Sequence, residues 1–189
     1  MRAAILGGTF NPVHVGHLFV ALEVREALGY EEVVFLPSYK PVHKDSAPVV
    51  AGDHRLAMLR LALQGCTGLV IDDLELVRGL PSYSIDTVFD VCRRHAIEGK
   101  PGFIIGDDLV AGFPTWKEVD RLVQSVDIIL ARRTGERHAE FPYPHRAVMN
   151  PLLAISSSDI RQRIAAGRSA RFLVPDAVID YIRAHRLYA

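Results

Sequence analysis

Apolar residues gather into five short runs, at positions 3–6, 33–36, 69–71, 103–105 and 128–130, each too brief for a helix and bounded by polar or turn-forming residues. Runs of this length without a polar face suit strands buried on both sides, as in a parallel sheet. Between them, apolar positions recur at helical spacing over 17–28, 53–63, 84–95 and 115–123. The alternation predicts an α/β fold, a Rossmann-like parallel sheet built from right-handed βαβ units with helices on both faces.

Asp53 and Ser84 read as N-caps of their helices, and Thr115-Trp116-Lys117-Glu118 reads as a capping box. After the fifth run the pattern changes. Residues 132–146 are polar and hold Gly135, Pro142 and Pro144, which predicts a surface loop. Residues 158–166 and 176–186 regain helical spacing, the second with Pro175 just ahead of its start, and form a C-terminal helical segment. With no internal repeat, low-complexity tract or linker, residues 1–189 are expected to form one domain.

Composition narrows the partners. The 22 Lys plus Arg residues are balanced by 22 Asp plus Glu, so a basic coat for nucleic acid or membrane surfaces is not expected. An acidic ligand must instead meet a few placed charges. The balance is uneven, with six basic against three acidic residues in 159–189, a stretch in which Arg161 is the first basic residue. No stretch approaches the roughly 18 apolar residues of a membrane helix, and the opening run is too short for a signal peptide. Cys66 and Cys92 suggest neither a disulfide framework nor a cysteine zinc site, so a reducing, cytoplasmic setting is expected.

The first candidate site is Gly7-Gly8-Thr9-Phe10-Asn11-Pro12-Val13-His14-Val15-Gly16-His17, between the first strand and the first helix. In open α/β sheets, ligands bind at the carboxyl ends of strands. Gly7 and Gly8 let the backbone approach a bound group, and Gly16 does so at the helix N-terminus. The segment is neither a GxGxxG fingerprint nor a Walker A loop, because the glycine spacing and the Lys-Ser/Thr pair are missing. His14 and His17, three apart, can face one polyphosphate at the positive end of a helix dipole. A zinc pair and two structural histidines are the other readings, although no third zinc ligand is evident.

The second candidate is Ile155-Ser156-Ser157-Ser158-Asp159-Ile160-Arg161. Its serines offer an N-cap, hydroxyl donors and exposed backbone N–H groups, and Arg161 stands on the first turn, where it could reach the same anion. An ordinary capped helix with a solvated arginine would look the same in isolation.

Together the two motifs resemble the signatures of the nucleotidyltransferases with an HxGH motif, and among these the chain is similar to the bacterial nicotinate mononucleotide adenylyltransferases. The likeness covers nearly the whole chain, through residues 37–44, Ser82-Tyr83-Ser84, Gly106-Asp107-Asp108, Trp116 and Phe172-Leu173-Val174-Pro175 to Leu187-Tyr188. It implies joining of a pyridine mononucleotide phosphate to the α-phosphorus of ATP with release of pyrophosphate. Magnesium would arrive mainly on the ATP phosphates, and no covalent intermediate would form. Such chemistry asks a protein chiefly to align two anions and neutralise charge.

By the resemblance, His14 and His17 contact ATP phosphates, with His17 nearest the reacting centre. Arg161 and the residues from Ile155 to Ser158 hold the leaving side, while Lys44 and His43 add charge from a loop that closes. Gly7, Gly8, Thr9 and Phe10 would lie beneath the nucleotides, and Gly106 and Asp108 would bind ribose. Trp116 would stack on the pyridine. Ser82, Tyr83 and Ser84 would receive the nicotinate carboxylate, which suits a helix N-terminus better than a neutral amide does. Arg132 matches an arginine after the fifth strand in relatives. Asn11 is given no metal role, the role of Asp107 stays open, and a homo-oligomer is neither required nor excluded.

A phosphopantetheine adenylyltransferase shares both signatures but lacks the Ser-Tyr-Ser and Trp116 features. An aminoacyl-tRNA synthetase would need a much longer chain, and a nonenzymatic nucleotide sensor would be expected to have lost part of the set His17, Lys44 and Arg161. Eight scattered histidines give little support to a metal-binding protein.

Overall fold

The computed structural model describes residues 1–39, 49–133, 140–150 and 155–189. Among these residues six strands form one parallel sheet: β1 (Ala3–Gly8), β2 (Glu32–Pro37), β3 (Leu69–Ile71), β4 (Gly102–Gly106), β5 (Asp127–Arg133) and β6 (Arg146–Asn150). The helices are α1 (Val15–Leu28), α2 (Gly52–Ala62), α3 (Leu74–Arg78), α4 (Ser84–Arg94), α5 (Asp107–Val110), α6 (Val119–Ser125), α7 (Ser157–Ala165) and α8 (Asp176–Ala184).

The strands alternate between two apolar layers. Ala4, Leu6, Val33, Phe35, Ile104 and Ile129 face a core completed by Val20, Val24, Met58, Leu59, Ile160, Val178 and Ile182 from α1, α2, α7 and α8. Their neighbours Ala3, Ile5, Val34, Leu36, Phe103, Ile105, Ile128 and Leu130 face the opposite core, with Ile85, Val88, Val110 and Leu122 from α4, α5 and α6. The period of two in each strand therefore requires a helical layer on either side, as the uninterrupted apolar runs predicted.

The strand order is β3-β2-β1-β4-β5-β6. Successive strands run outward from β1 toward β3 and then from β4 toward β6, so the direction reverses between β1 and β4. A crevice opens at such a switch point, outside the carboxyl ends of the two central strands. Gly7-Gly8 and Gly106-Asp107 stand at those two ends, because Leu6 is in register with Ile104.

Several boundaries differ from the sequence expectation. Residues 132–146 are not one loop: Arg132 and Arg133 extend β5, and Arg146 begins β6, paired with Ile129. Only Ala147, Val148 and Met149 are apolar in this edge strand, and Val148 alone is among its buried core residues. α3 buries no residue and hence gives no periodic signal. The buried Asp72 starts α3 by accepting Leu74 N–H at 2.9 Å and ties it to α4 through His95 Nε2 at 2.9 Å.

The predicted caps also move. Ala51 and Tyr83, rather than Asp53 and Ser84, are the N-caps of α2 and α4. Thr115 makes no capping box: it ends a 3-10 turn, Phe113–Thr115, with its hydroxyl on Gly112 O at 2.8 Å. Glu118, in the left-handed region at φ 51°, caps α6 instead. Trp116 is extended after this turn and stands ahead of α6 rather than in its first turn.

Candidate active site

β1 delivers the chain into the loop Thr9-Phe10-Asn11-Pro12-Val13, and α1 begins immediately after His14, its N-cap. Phe10 is buried, with its ring 5.6 Å from Phe35 and 5.0 Å from the ring of His17. It thus supports the site from below and turns its ring to the core, away from the crevice.

The rings of His14 and His17 stack with centroids 3.7 Å apart. His17 Nδ1 accepts the His14 backbone N–H at 3.2 Å, so in neutral His17 the proton resides on Nε2. The ring is thereby set as a donor at the mouth of α1, beside backbone N–H groups at a positive dipole end. Gly16 leaves room for the ring, since a Cβ at that position would lie 3.0 Å from His14 Nδ1, a tight contact that would press on the imidazole.

The loop is held through its carbonyls. Ser38 N–H donates to Gly8 O at 2.9 Å, Arg55 Nη1 to Thr9 O at 2.9 Å, Arg161 Nη1 to Asn11 O at 2.8 Å, and Ser157 Oγ to Pro12 O at 2.9 Å. The Asn11 side chain is buried and accepts the Tyr188 hydroxyl at 2.8 Å and Val50 N–H at 3.4 Å. Each contact spans distant sequence, so the loop geometry belongs to the folded protein rather than to its own ten residues.

The second motif begins α7 as a true capping box. Ser156 Oγ accepts Asp159 N–H at 3.1 Å, while Asp159 Oδ2 accepts Ser156 N–H at 3.2 Å. Ser157 commits its hydroxyl to Pro12, and Ser158 Oγ accepts Arg161 Nη2 at 3.1 Å. The N-termini of α1 and α7 consequently meet on one pair of peptide units, Asn11-Pro12, with Arg161 oriented between them. Ile155 leads into this turn and packs partly against the core.

Across the switch point, Asp108 folds its carboxylate back over Gly106, where a Cβ would stand 2.7 Å from Oδ1. Asp107 lies 4.0 Å from Arg132 Nε, which links the ends of β4 and β5. At the third edge, Trp116 packs on Phe113 at 4.9 Å, and Lys117 Nζ sits 4.2 Å from the Tyr83 ring centroid and 3.4 Å from Asp86. The Trp116 segment and the start of α4 at Ser84 are thereby brought together. Ser82 Oγ accepts Arg78 Nη1 at 3.0 Å, which fixes the turn before α4. His43 and Lys44 lie outside the described residues.

Arg55 is the principal residue that sequence reading missed. It is 1% exposed, and besides Thr9 it donates to Ser38 O at 2.7 Å, Tyr39 O at 3.2 Å and Val50 O at 3.2 Å. Burial lowers its pKa from the usual guanidinium value, although the nearby Tyr188 opposes the shift. Its sequence signal was only an arginine on a helix whose neighbours Met58, Leu59 and Ala62 face the core.

Gly7 differs from Gly16 in having open space about it, with no atom within 4 Å of the place a Cβ would take. Gly7→Ala should therefore fold normally yet lose about tenfold in ATP affinity, roughly 1.4 kcal/mol, if the nucleotide passes over this peptide. Titration calorimetry measures this directly, and unchanged affinity would move the nucleotide off β1.

The chain belongs to the cytidylyltransferase-like family, whose model matches residues 5–163. Its relatives narrow the class. A probable nicotinate-nucleotide adenylyltransferase of Borrelia garinii subsp. bavariensis is 38% identical over 188 residues, covering 100% of this chain and 95% of that protein. One from Pseudomonas putida is 42% identical over 209 residues, covering 99% and 94%. Among solved structures, Plasmodium falciparum nicotinic acid mononucleotide adenylyltransferase complexed with NaAD shares the fold, with TM-score 0.81 and 21% identity over 99% of this chain and 97% of that one.

Proposed function

We propose that this chain transfers the adenylyl group of ATP to the phosphate of nicotinate mononucleotide, forming deamido-NAD and pyrophosphate in NAD biosynthesis. The observation that carries the reading is the meeting of two helix N-termini, α1 and α7, on the Asn11-Pro12 peptides at the carboxyl end of β1. The names of the full-length relatives support the same reaction.

In this reading an oxygen of the acceptor phosphate attacks the α-phosphorus in line, the bond from that phosphorus to the α,β-bridging oxygen breaks, and the oxygen leaves with its electron pair as part of pyrophosphate. His17 Nε2–H donates to the α-phosphate oxygens, whose charge must be stabilised in the transition state. His14 faces the same polyphosphate. Arg161 and the N–H groups of Ser157 and Ser158, with Ser156 shaping the turn, receive the departing pyrophosphate, a dianion or more that a fixed guanidinium suits. Lys44 and His43 add positive charge from their segment. Gly7, Gly8 and Thr9 pass beneath the nucleotides, and Gly106 and Asp108 hold ribose, with Arg132 next to them through Asp107.

Magnesium enters as part of the ATP substrate. Magnesium commonly binds through substrate phosphate oxygens rather than an all-protein cage, and it is assigned that route here. The acceptor ring lies against Trp116, and its carboxylate meets the start of α4 at Ser82, Tyr83 and Ser84. A full negative charge gains more from a helix N-terminus than an amide does, so the acid is preferred over the amide. The free thiols Cys66 and Cys92 fit a reducing cytoplasm, and no described helix is long and apolar enough to cross a membrane.

The test is incubation with Mg·ATP and either nicotinate or nicotinamide mononucleotide, following pyrophosphate and dinucleotide together. Equal release of both products, faster with the acid, is expected. Absence of dinucleotide from either acceptor would refute the reading, whereas faster turnover of the amide would overturn only the acceptor assignment.

A further inference from the structure

The Tyr188 hydroxyl is tied through Asn11 to the arginine that the proposed reaction depends on. Asn11 is 3% exposed, and its two oxygens face different elements. Oδ1 accepts from Tyr188, 177 positions away, and its main-chain oxygen accepts from Arg161 Nη1, both at 2.8 Å. A carboxamide oxygen with two acceptor sites is fully used by Tyr188 and Val50 N–H. Removing the tyrosine hydroxyl would leave a buried acceptor half-satisfied, and the amide would turn to recover a partner.

Resting on the adenylyl-transfer reading, we infer that Tyr188 is a positioning residue for Arg161, acting through Asn11 to fix the acceptor on which the guanidinium rests. The Tyr188 ring packs against the α1, α2, α7 and α8 core, so Phe can keep the packing while deleting the hydrogen bond. Burial raises the Tyr188 pKa, with the facing Arg161 and Arg55 opposing, so the hydroxyl remains a donor throughout the neutral range. Among the described residues, Arg55, Arg161 and Asn11 are charged and polar groups that face it. The effect on Arg161 is geometric. Small displacements of a group that must meet an in-line transition state cost rate steeply.

The test is a double-mutant cycle of Tyr188→Phe and Arg161→Ala on the full chain. Tyr188→Phe is expected to lower kcat about tenfold and weaken Mg·ATP binding severalfold, with a melting temperature within about 3 °C of the parent. In the Arg161→Ala background the same change should have almost no further effect on either quantity. A purely structural role predicts the opposite: equal losses in both backgrounds and a clear drop in melting temperature, which would overturn the inference. Unchanged kcat and ATP affinity in Tyr188→Phe would overturn it too. A parent protein inert toward both acceptors would instead refute the adenylyl-transfer reading, and the ATP titration across the four proteins would still decide whether Tyr188 and Arg161 are coupled.

Discussion

His17→Ala is expected to reduce turnover by about two to three orders of magnitude, the usual cost of removing one preorganised donor to a charged transition state. The imidazole has two jobs that can be separated. Nδ1 accepts His14 N–H and so helps cap α1, while Nε2 carries the donor that faces the site. Asn places its amide oxygen near the Nδ1 position, whereas Gln extends its amide nitrogen toward that of Nε2. His17→Asn should therefore recover the cap, worth about 1 kcal/mol, yet remain as slow as the alanine variant. His17→Gln should keep the cap too, since Gln at this position can complete a capping box, and retain more activity than either. Steady-state kinetics with urea unfolding on the three variants checks both halves. If Asn restores activity as well as stability, His17 acts by shaping the helix start and not by donating to phosphate.

The same residue shows what sequence could and could not disclose. The pairing of His14 with His17 follows from their spacing, and the position after the first strand follows from the apolar runs. The tautomer does not, because it depends on which ring nitrogen meets a backbone N–H after folding. The four central strands β1, β2, β4 and β5 were legible since their burial on both faces leaves an uninterrupted apolar signature, and β3, at one edge, was legible from its run Leu69-Val70-Ile71. β6, at the other edge, was not, because Val148 is its one buried residue among those described, between polar ends, and Met149 there is 45% exposed. Capping rules put an N-cap among the three serines without choosing one, and it is Ser156, where Asp159 reaches back to it; they misplaced Thr115, whose hydroxyl bonds to Gly112 instead. Of the clasp around Asn11, sequence offered Ser157 and Arg161 as anion ligands. Their bonds to Pro12 and Asn11 are long-range, and no local pattern encodes such contacts.

Arg55→Met should be the most destabilising single change outside the apolar cores. The variant keeps a long, unbranched side chain but withdraws donors from Thr9, Ser38, Tyr39 and Val50, four carbonyls about a buried guanidinium. An unsatisfied buried acceptor costs about 1–3 kcal/mol, and ending the desolvation of the cation returns part of that sum. A net loss of about 3 kcal/mol follows, or roughly 6–12 °C in melting temperature for a chain of this size. Among the described residues the partners of Arg55 are carbonyls and not a carboxylate, so what is lost is geometry as well as energy. The guanidinium spans from the end of β1 to the end of β2 and onward to the residue preceding the α2 cap, and only a planar fork reaches all of them. Arg55→Lys, with the charge retained on a single nitrogen, should thus recover a minority of the stability and little of the turnover. Urea unfolding of both variants, with the slope compared to separate stability from denatured-state effects, measures the first point. A Met variant as stable as the parent would mean that the four carbonyls find other donors, and the loop carrying His14 and His17 would then owe its position to Arg161, Ser157, Tyr188 and the N–H groups of Ser38 and Val50.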